Sequence, residues 1–127
     1  MVFKLAALGI AGALGTLARY ALAGLVHRTD HGSFPWGTLA VNASGCFVAG
    51  FLWALFESRG AIASEVRTAI FIGFLGAFTT FSGFVLETGQ LLRAAEWAAA
   101  AANVLLSNGL GFAAFVLGSA VARLAVP

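Results

Sequence analysis

The chain has 127 residues, 61% of them hydrophobic and only 9% charged, where a soluble domain carries roughly a quarter. With a mean hydropathy of +0.96, this composition excludes a water-soluble globular domain and points to a membrane protein. The net charge of +2 comes from seven basic residues scattered along the chain, so there is no basic patch for nucleic acid, and a single cysteine, Cys46, excludes an internal disulfide and a cysteine-based zinc site.

The first apolar segment covers residues 3 to 26. Lys4 ahead of an apolar run and the small-residue pattern Ala21-Leu22-Ala23 resemble a cleavable secretory signal. The run nevertheless continues past Arg19 to Val26, which is long enough for a bilayer span. Gly9, Gly12 and Gly15, at spacing three, mark a face for close helix contact. A polar loop, HRTDHGSFP, follows; its His27, Asp30 and His31 have metal-ligand side chains but read as solvated loop residues.

The remaining apolar segments run from 36 to 56, 66 to 92 and 97 to 121, separated by ESRGAIASE and RAAE. Each holds the roughly 20 residues that a spanning helix needs, and lipid leaves no other way to satisfy their backbone groups. Ser33 and Pro35 suit the start of the second helix, Ser64 and Glu65 the start of the third, and Gly60 the turn between them. Trp36 and Trp97 fall where an interfacial aromatic belt lies. The expected fold is an all-α membrane protein of four transmembrane helices forming one domain over residues 1–127. With four spans, Lys4, Arg59, Arg67 and Arg123 share one side, against Arg28, Arg93 and Arg19 on the other. So small a bias barely selects an orientation and permits insertion both ways. Four short helices also pack into a filled core, so a conducting path calls for an oligomer.

Polar groups inside the spans are costly and mark function or helix contacts. They are Thr16 and Arg19; Asn42 and Ser44; Thr79, Thr80, Ser82 and Glu87; and Asn103, Ser107 and Asn108. Arg19 and Glu87 sit where a long side chain reaches the membrane edge, and Asn103, Ser107 and Gly111 share a helix face. Most of the others are neutral hydrogen-bond donors, which is what an anion needs on leaving water. The stretch Ala43-Ser44-Gly45 is close to an intramembrane serine-protease motif, but no histidine follows in a later helix to act as base. The chain has no phosphate loop and reads as a non-enzyme.

The third segment contains GFLGAFTTFSGFVLET over residues 73 to 88. Gly76-Ala77-Phe78-Thr79-Thr80 interrupts it, so the expected helix is broken and frees backbone carbonyls, which favour a cation. Phe71, Phe74, Phe78 and Phe81 form a helical stripe of packing residues. Phe81 and Phe84 differ because they stand beside Thr80 and Ser82, and an aromatic ring has an electropositive edge that suits an anion.

GALGTLARY (12–20), GTLAVNASG (37–45), GFLGAFTTFSGFVLE (73–87) and NVLLSNGLG (103–111) resemble, in order and spacing, the Fluc (CrcB) family of bacterial fluoride channels. The resemblance spans essentially the whole chain. It implies an antiparallel, dual-topology homodimer in the bacterial inner membrane, with two narrow fluoride pores and a structural sodium ion at the dimer centre. By motif position, Gly76 and Thr79 would supply backbone carbonyls to that sodium. Asn42 would donate to fluoride, Phe81 and Phe84 would be the pore phenylalanines, and Thr80, Ser82, Asn103 and Ser107 would line the polar track. Arg19 matches an arginine at the mouth vestibule. The implied physiology is passive export: hydrogen fluoride enters neutral, ionises in the cytoplasm, and leaves as the anion through the channel. Gly83 stands where many members carry a threonine, and Gly111 where some carry a serine, so the donor path differs in detail. Two other classes fit the composition. A small multidrug exporter needs an acidic residue in its first helix, whereas here the first acid is Asp30 in the loop. In a noncatalytic assembly subunit, the polar groups would serve only packing.

Overall fold

A computed structural model describes residues 2–28, 32–58 and 62–125. Asp30, His31, Arg59 and Gly60, named above, lie outside the described residues. The described residues form helices: α1 (Val2–His27), α2 (Trp36–Ser58), α3 (Ser64–Thr68), a π-helical stretch (Ala69–Leu75), α4 (Gly76–Phe78), α5 (Phe81–Arg93) and α6 (Trp97–Ala125). Together they make four helical runs long and apolar enough to cross a membrane, with the third running from Ser64 to Arg93.

Local chemistry accounts for the ends. The Pro35 carbonyl accepts the Leu39 N–H (3.1 Å), so Pro35, whose ring cannot continue a helix backwards, caps α2. At α3 the cap is Ala63, whose carbonyl accepts from Val66 and Arg67 (3.0 and 3.2 Å), and Ser64 is the first helical residue. Between α5 and α6 the Glu96 N–H reaches back to the Leu91 carbonyl (2.9 Å) and the Ala95 N–H to Leu92 (3.1 Å). This is a Schellman motif, and its left-handed position is filled by Ala95 at φ 61° rather than by glycine.

The π-helical stretch follows α3 without a gap, and its wider i→i+5 turns resume α-helical form at Gly76. Within residues 76–80 the departure from helix is confined to two residues. Thr79 (φ −81°, ψ 156°) and Thr80 (φ −145°, ψ 113°) are extended, and α5 starts at Phe81.

α2 and α6 make the most extensive contact and form the centre. Small residues allow it: a Cβ on Gly50 would collide with the Phe115 carbonyl, and one on Gly118 with the Phe47 carbonyl. The Ser119 hydroxyl donates to the Gly50 carbonyl (3.0 Å) across the same seam. α1 lies on the π-helical stretch, where Gly15 leaves room for the Phe74 backbone; Gly9 faces open space, so only part of the glycine face is used.

Polar contacts fix which ends coincide. Lys4 pairs with Glu65 (2.7 Å), and the Arg67 guanidinium sits 5.6 Å from the Trp53 ring and 6.0 Å from that of Phe56. The start of α1, the end of α2 and the start of α3 therefore share one end. At the other end Ser33 donates to Glu96, and the Thr38 hydroxyl donates to Glu87 Oε1 (2.7 Å). The spans run up and down. In the single chain α2 is the most buried of the four spans and α1 the least, so much of the apolar surface is left to lipid or to another protein surface.

Candidate functional site: a helix break beside a polar cavity

The two extended residues are held from α2. Asn42 Oδ1 accepts the Thr80 N–H (2.8 Å) while its Nδ2 donates to the Thr80 carbonyl (3.0 Å). One side-chain amide thus completes both backbone groups of a residue that has left the helix. Thr79 is held by the helix it ends, since its N–H and its hydroxyl both donate to the Leu75 carbonyl (2.9 Å each). Its methyl packs over Gly45, where any Cβ would overlap it.

Thr80 also caps α5: its hydroxyl accepts the Gly83 N–H (3.0 Å) and lies 3.3 Å from the Ser82 hydroxyl. In an uninterrupted helix the Thr80 N–H would bond the Gly76 carbonyl and the Gly83 N–H the Thr79 carbonyl. Here the first donor goes to Asn42 and the second to the Thr80 side chain. These two diversions take the helical donors from the Gly76 and Thr79 carbonyls, and Gly76 is exposed in the single chain. This donor set consists of hard, neutral oxygens, which suits a hard cation.

Beside the break is a cavity of about 230 Å³ lined by Asn42, Cys46, Thr79, Thr80, Phe81, Phe84, Ser107 and Asn108. The Phe81 and Phe84 rings tilt at 43° with centroids 5.7 Å apart, and Phe81 is 77% exposed. No lining residue carries a formal charge at neutral pH.

The structure therefore brings together Asn42, Thr80, Phe81, Phe84 and Ser107. Ser82 is not among the lining residues; its hydroxyl lies 3.3 Å from that of Thr80. Asn103 is a layer behind, 2% exposed, accepting from the Ser107 hydroxyl (3.2 Å) and donating to Thr88 (2.9 Å), whose own hydroxyl bonds the Phe84 carbonyl (2.7 Å). Arg19, half-buried on α1, does not line the cavity. Glu87 is held by Thr38 and has one buried carboxylate oxygen without a hydrogen-bond partner among the described residues.

Sequence reasoning assigned no role to Thr88, Cys46 or the Asn108 contribution to this wall. Thr88 lies one turn after Phe84, which was the available signal; the Cys46 position depends on the crossing of α2 and α6 and leaves none.

The family profile described as CrcB-like protein, Camphor Resistance (CrcB), matches residues 6–119. A Desulforapulum autotrophicum protein named fluoride-specific ion channel FluC is 56% identical over 98% of this chain and 99% of its own length. Proteins of the same name from Nitrosococcus oceani and Solidesulfovibrio magneticus are 49% and 46% identical, covering 95% and 98% of this chain and 97% and 99% of their own. The extent of these matches, across every helix described above, makes this chain a member of the CrcB family.

Proposed function

We propose that this chain is a fluoride channel that passively lets cytoplasmic fluoride out across the bacterial inner membrane, working as an antiparallel homodimer with two pores. Its relatives carry the name of an ion channel, not of an enzyme. The observation that carries the reading is the wall on which the Asn42 amide, the hydroxyls of Thr80 and Ser107, and the Phe81 and Phe84 rings meet around one uncharged cavity.

A small anion stripped of water needs replacement hydrogen bonds, because transferring an isolated charge into an apolar medium costs tens of kcal/mol. Neutral donors and ring edges supply that solvation in part, without the full counter-charge that would hold the ion in place. After its two bonds to Thr80, Asn42 retains one Nδ2 hydrogen for an anion. Ser107 also lines the cavity; its hydroxyl hydrogen is directed to Asn103 Oδ1, and it serves an anion as a donor by turning that hydrogen into the cavity. Ser82, beside Thr80, and Asn103, buried behind Ser107, support the polar track from outside the cavity, and Arg19 serves the vestibule, where a cation concentrates anions before they lose water.

The Gly76 and Thr79 carbonyls fit a structural sodium ion, and a second chain would supply the remaining oxygens. Bound there, sodium would join the two copies by ion–dipole attraction. Nothing in the conduction path requires it to move.

The test is ion flux from proteoliposomes containing the folded protein. Fluoride should leave rapidly while chloride is retained; a well-folded dimer that passes neither ion would sink the channel reading. Phe81→Ile keeps the apolar bulk and removes the ring edge, so fluoride flux should fall by about tenfold, the equivalent of about 1.4 kcal/mol, with the dimer intact on size-exclusion chromatography.

A further inference from the structure

Asn42 does more at this site than offer a donor to the cavity. The helical ladder of α4 closes with the Thr79 N–H on the Leu75 carbonyl (2.9 Å). The next rung would be Thr80 N–H to Gly76 carbonyl. Asn42 Oδ1 takes that N–H at 2.8 Å, and Nδ2 holds the carbonyl of the same residue at 3.0 Å. Without the amide, the Thr80 N–H would be left unpaired in a half-buried position, and its nearest helical acceptor is the Gly76 oxygen. α4 would then grow by one residue and consume a carbonyl that the sodium reading requires to be free.

We propose that Asn42 is a positioning residue for the cation: by clipping both backbone groups of Thr80 it keeps the Gly76 carbonyl available, so one side chain serves the anion cavity and the cation site together. The inference rests on the proposed sodium at Gly76 and Thr79. It assigns to α2, which contributes no oxygen to that ion, control over the affinity for it. Groups of this kind, which hold a ligand rather than bind the metal, alter metal affinity by about 10- to 100-fold when removed.

The full chain purified as a dimer in detergent is titrated with sodium against N-methylglucamine, and the sodium midpoint is read from thermal unfolding, because an ion bound only by the folded state raises Tm with concentration. Asn42→Ala should move that midpoint upward by about tenfold or more. Ser107→Ala, in the same cavity but with its hydroxyl bonded to Asn103 rather than to Thr80, should leave it unchanged even where flux falls. Asn42→Asp keeps an oxygen for the Thr80 N–H but sets a second acceptor against the Thr80 carbonyl, so it breaks half of the clip: its midpoint should lie between those of the parent and Asn42→Ala, while its negative charge should abolish fluoride flux.

If the parent shows no sodium dependence, the sodium reading falls and this inference with it. If the parent depends on sodium and Asn42→Ala has the same midpoint, the clip has no hold on the cation and the inference alone is overturned. Should Asn42→Ala fail to fold, Asn42→Asp decides. An upward shift of its sodium midpoint supports the clip, and a midpoint equal to the parent's, with half of the clip broken, overturns the inference.

Discussion

At Gly83 the absence of a side chain has a local cause. Its N–H donates to the Thr80 hydroxyl at 3.0 Å, and a Cβ there would lie 2.9 Å from Thr80 Cγ2 and 3.1 Å from Thr80 Oγ1. Threonine is stiff at χ1, so it cannot yield while keeping that bond. Gly83→Thr should therefore turn the Thr80 side chain away from the α5 cap, costing about 1 kcal/mol of stability. Thermal unfolding would register the loss, and the flux assay would show whether the added hydroxyl alters conduction. Unaltered unfolding would mean that Thr80 tolerates the new neighbour. A glycine in a helix usually reads as a packing residue; here the Thr80 side chain that caps α5 crowds the position, and only the contact with Thr80 reveals that.

Among the elements, the turn from α5 to α6 contains the one strained backbone found at a non-glycine residue among those described. Ala95 sits at φ 61°, where a Cβ costs about 1–2 kcal/mol. Ala95→Gly should raise stability by about 1 kcal/mol, less the entropy that glycine adds to the unfolded chain, and the gain is measurable as a higher Tm with unchanged flux. The four spans were legible in sequence because the length of an apolar run is itself the physical requirement: 36 to 56 and 66 to 92 correspond to Trp36–Ser58 and Ser64–Arg93. The order of burial was not, since the four spans have similar hydropathies of 1.5 to 1.9 and nothing in them marks α2 as the central helix. The π-helical stretch was equally hidden, because AIFIGFL contains no residue that distinguishes an i→i+5 ladder from an i→i+4 one. Asn42 and the Thr79–Thr80 region stood out as polar groups in apolar runs, but their mutual bonds span 38 positions and depend on how α2 crosses the third span.

For the whole molecule, the proposed antiparallel pair makes orientation a functional variable. The basic residues divide four against three between the two sides when Arg19 is counted with its helix end. Adding three lysines after Met1 should bias every chain to keep its N-terminus in the cytoplasm. If opposed chains are needed, fluoride flux should be lost with expression preserved, and supplying a second variant of opposite bias should restore it. Flux that survives in the singly biased variant would rule out the antiparallel arrangement. The same logic of geometry applies along the third span. A π turn holds about one residue more than an α turn, so each extra residue rotates everything downstream by about 100°. The stretch Ala69–Leu75 thereby sets the azimuth at which the Gly76 carbonyl, the two extended threonines and the paired phenylalanines are presented. It acts as a phase adjuster for the rest of the span, which makes the length of this segment, more than its side chains, the quantity that variation in the protein must respect.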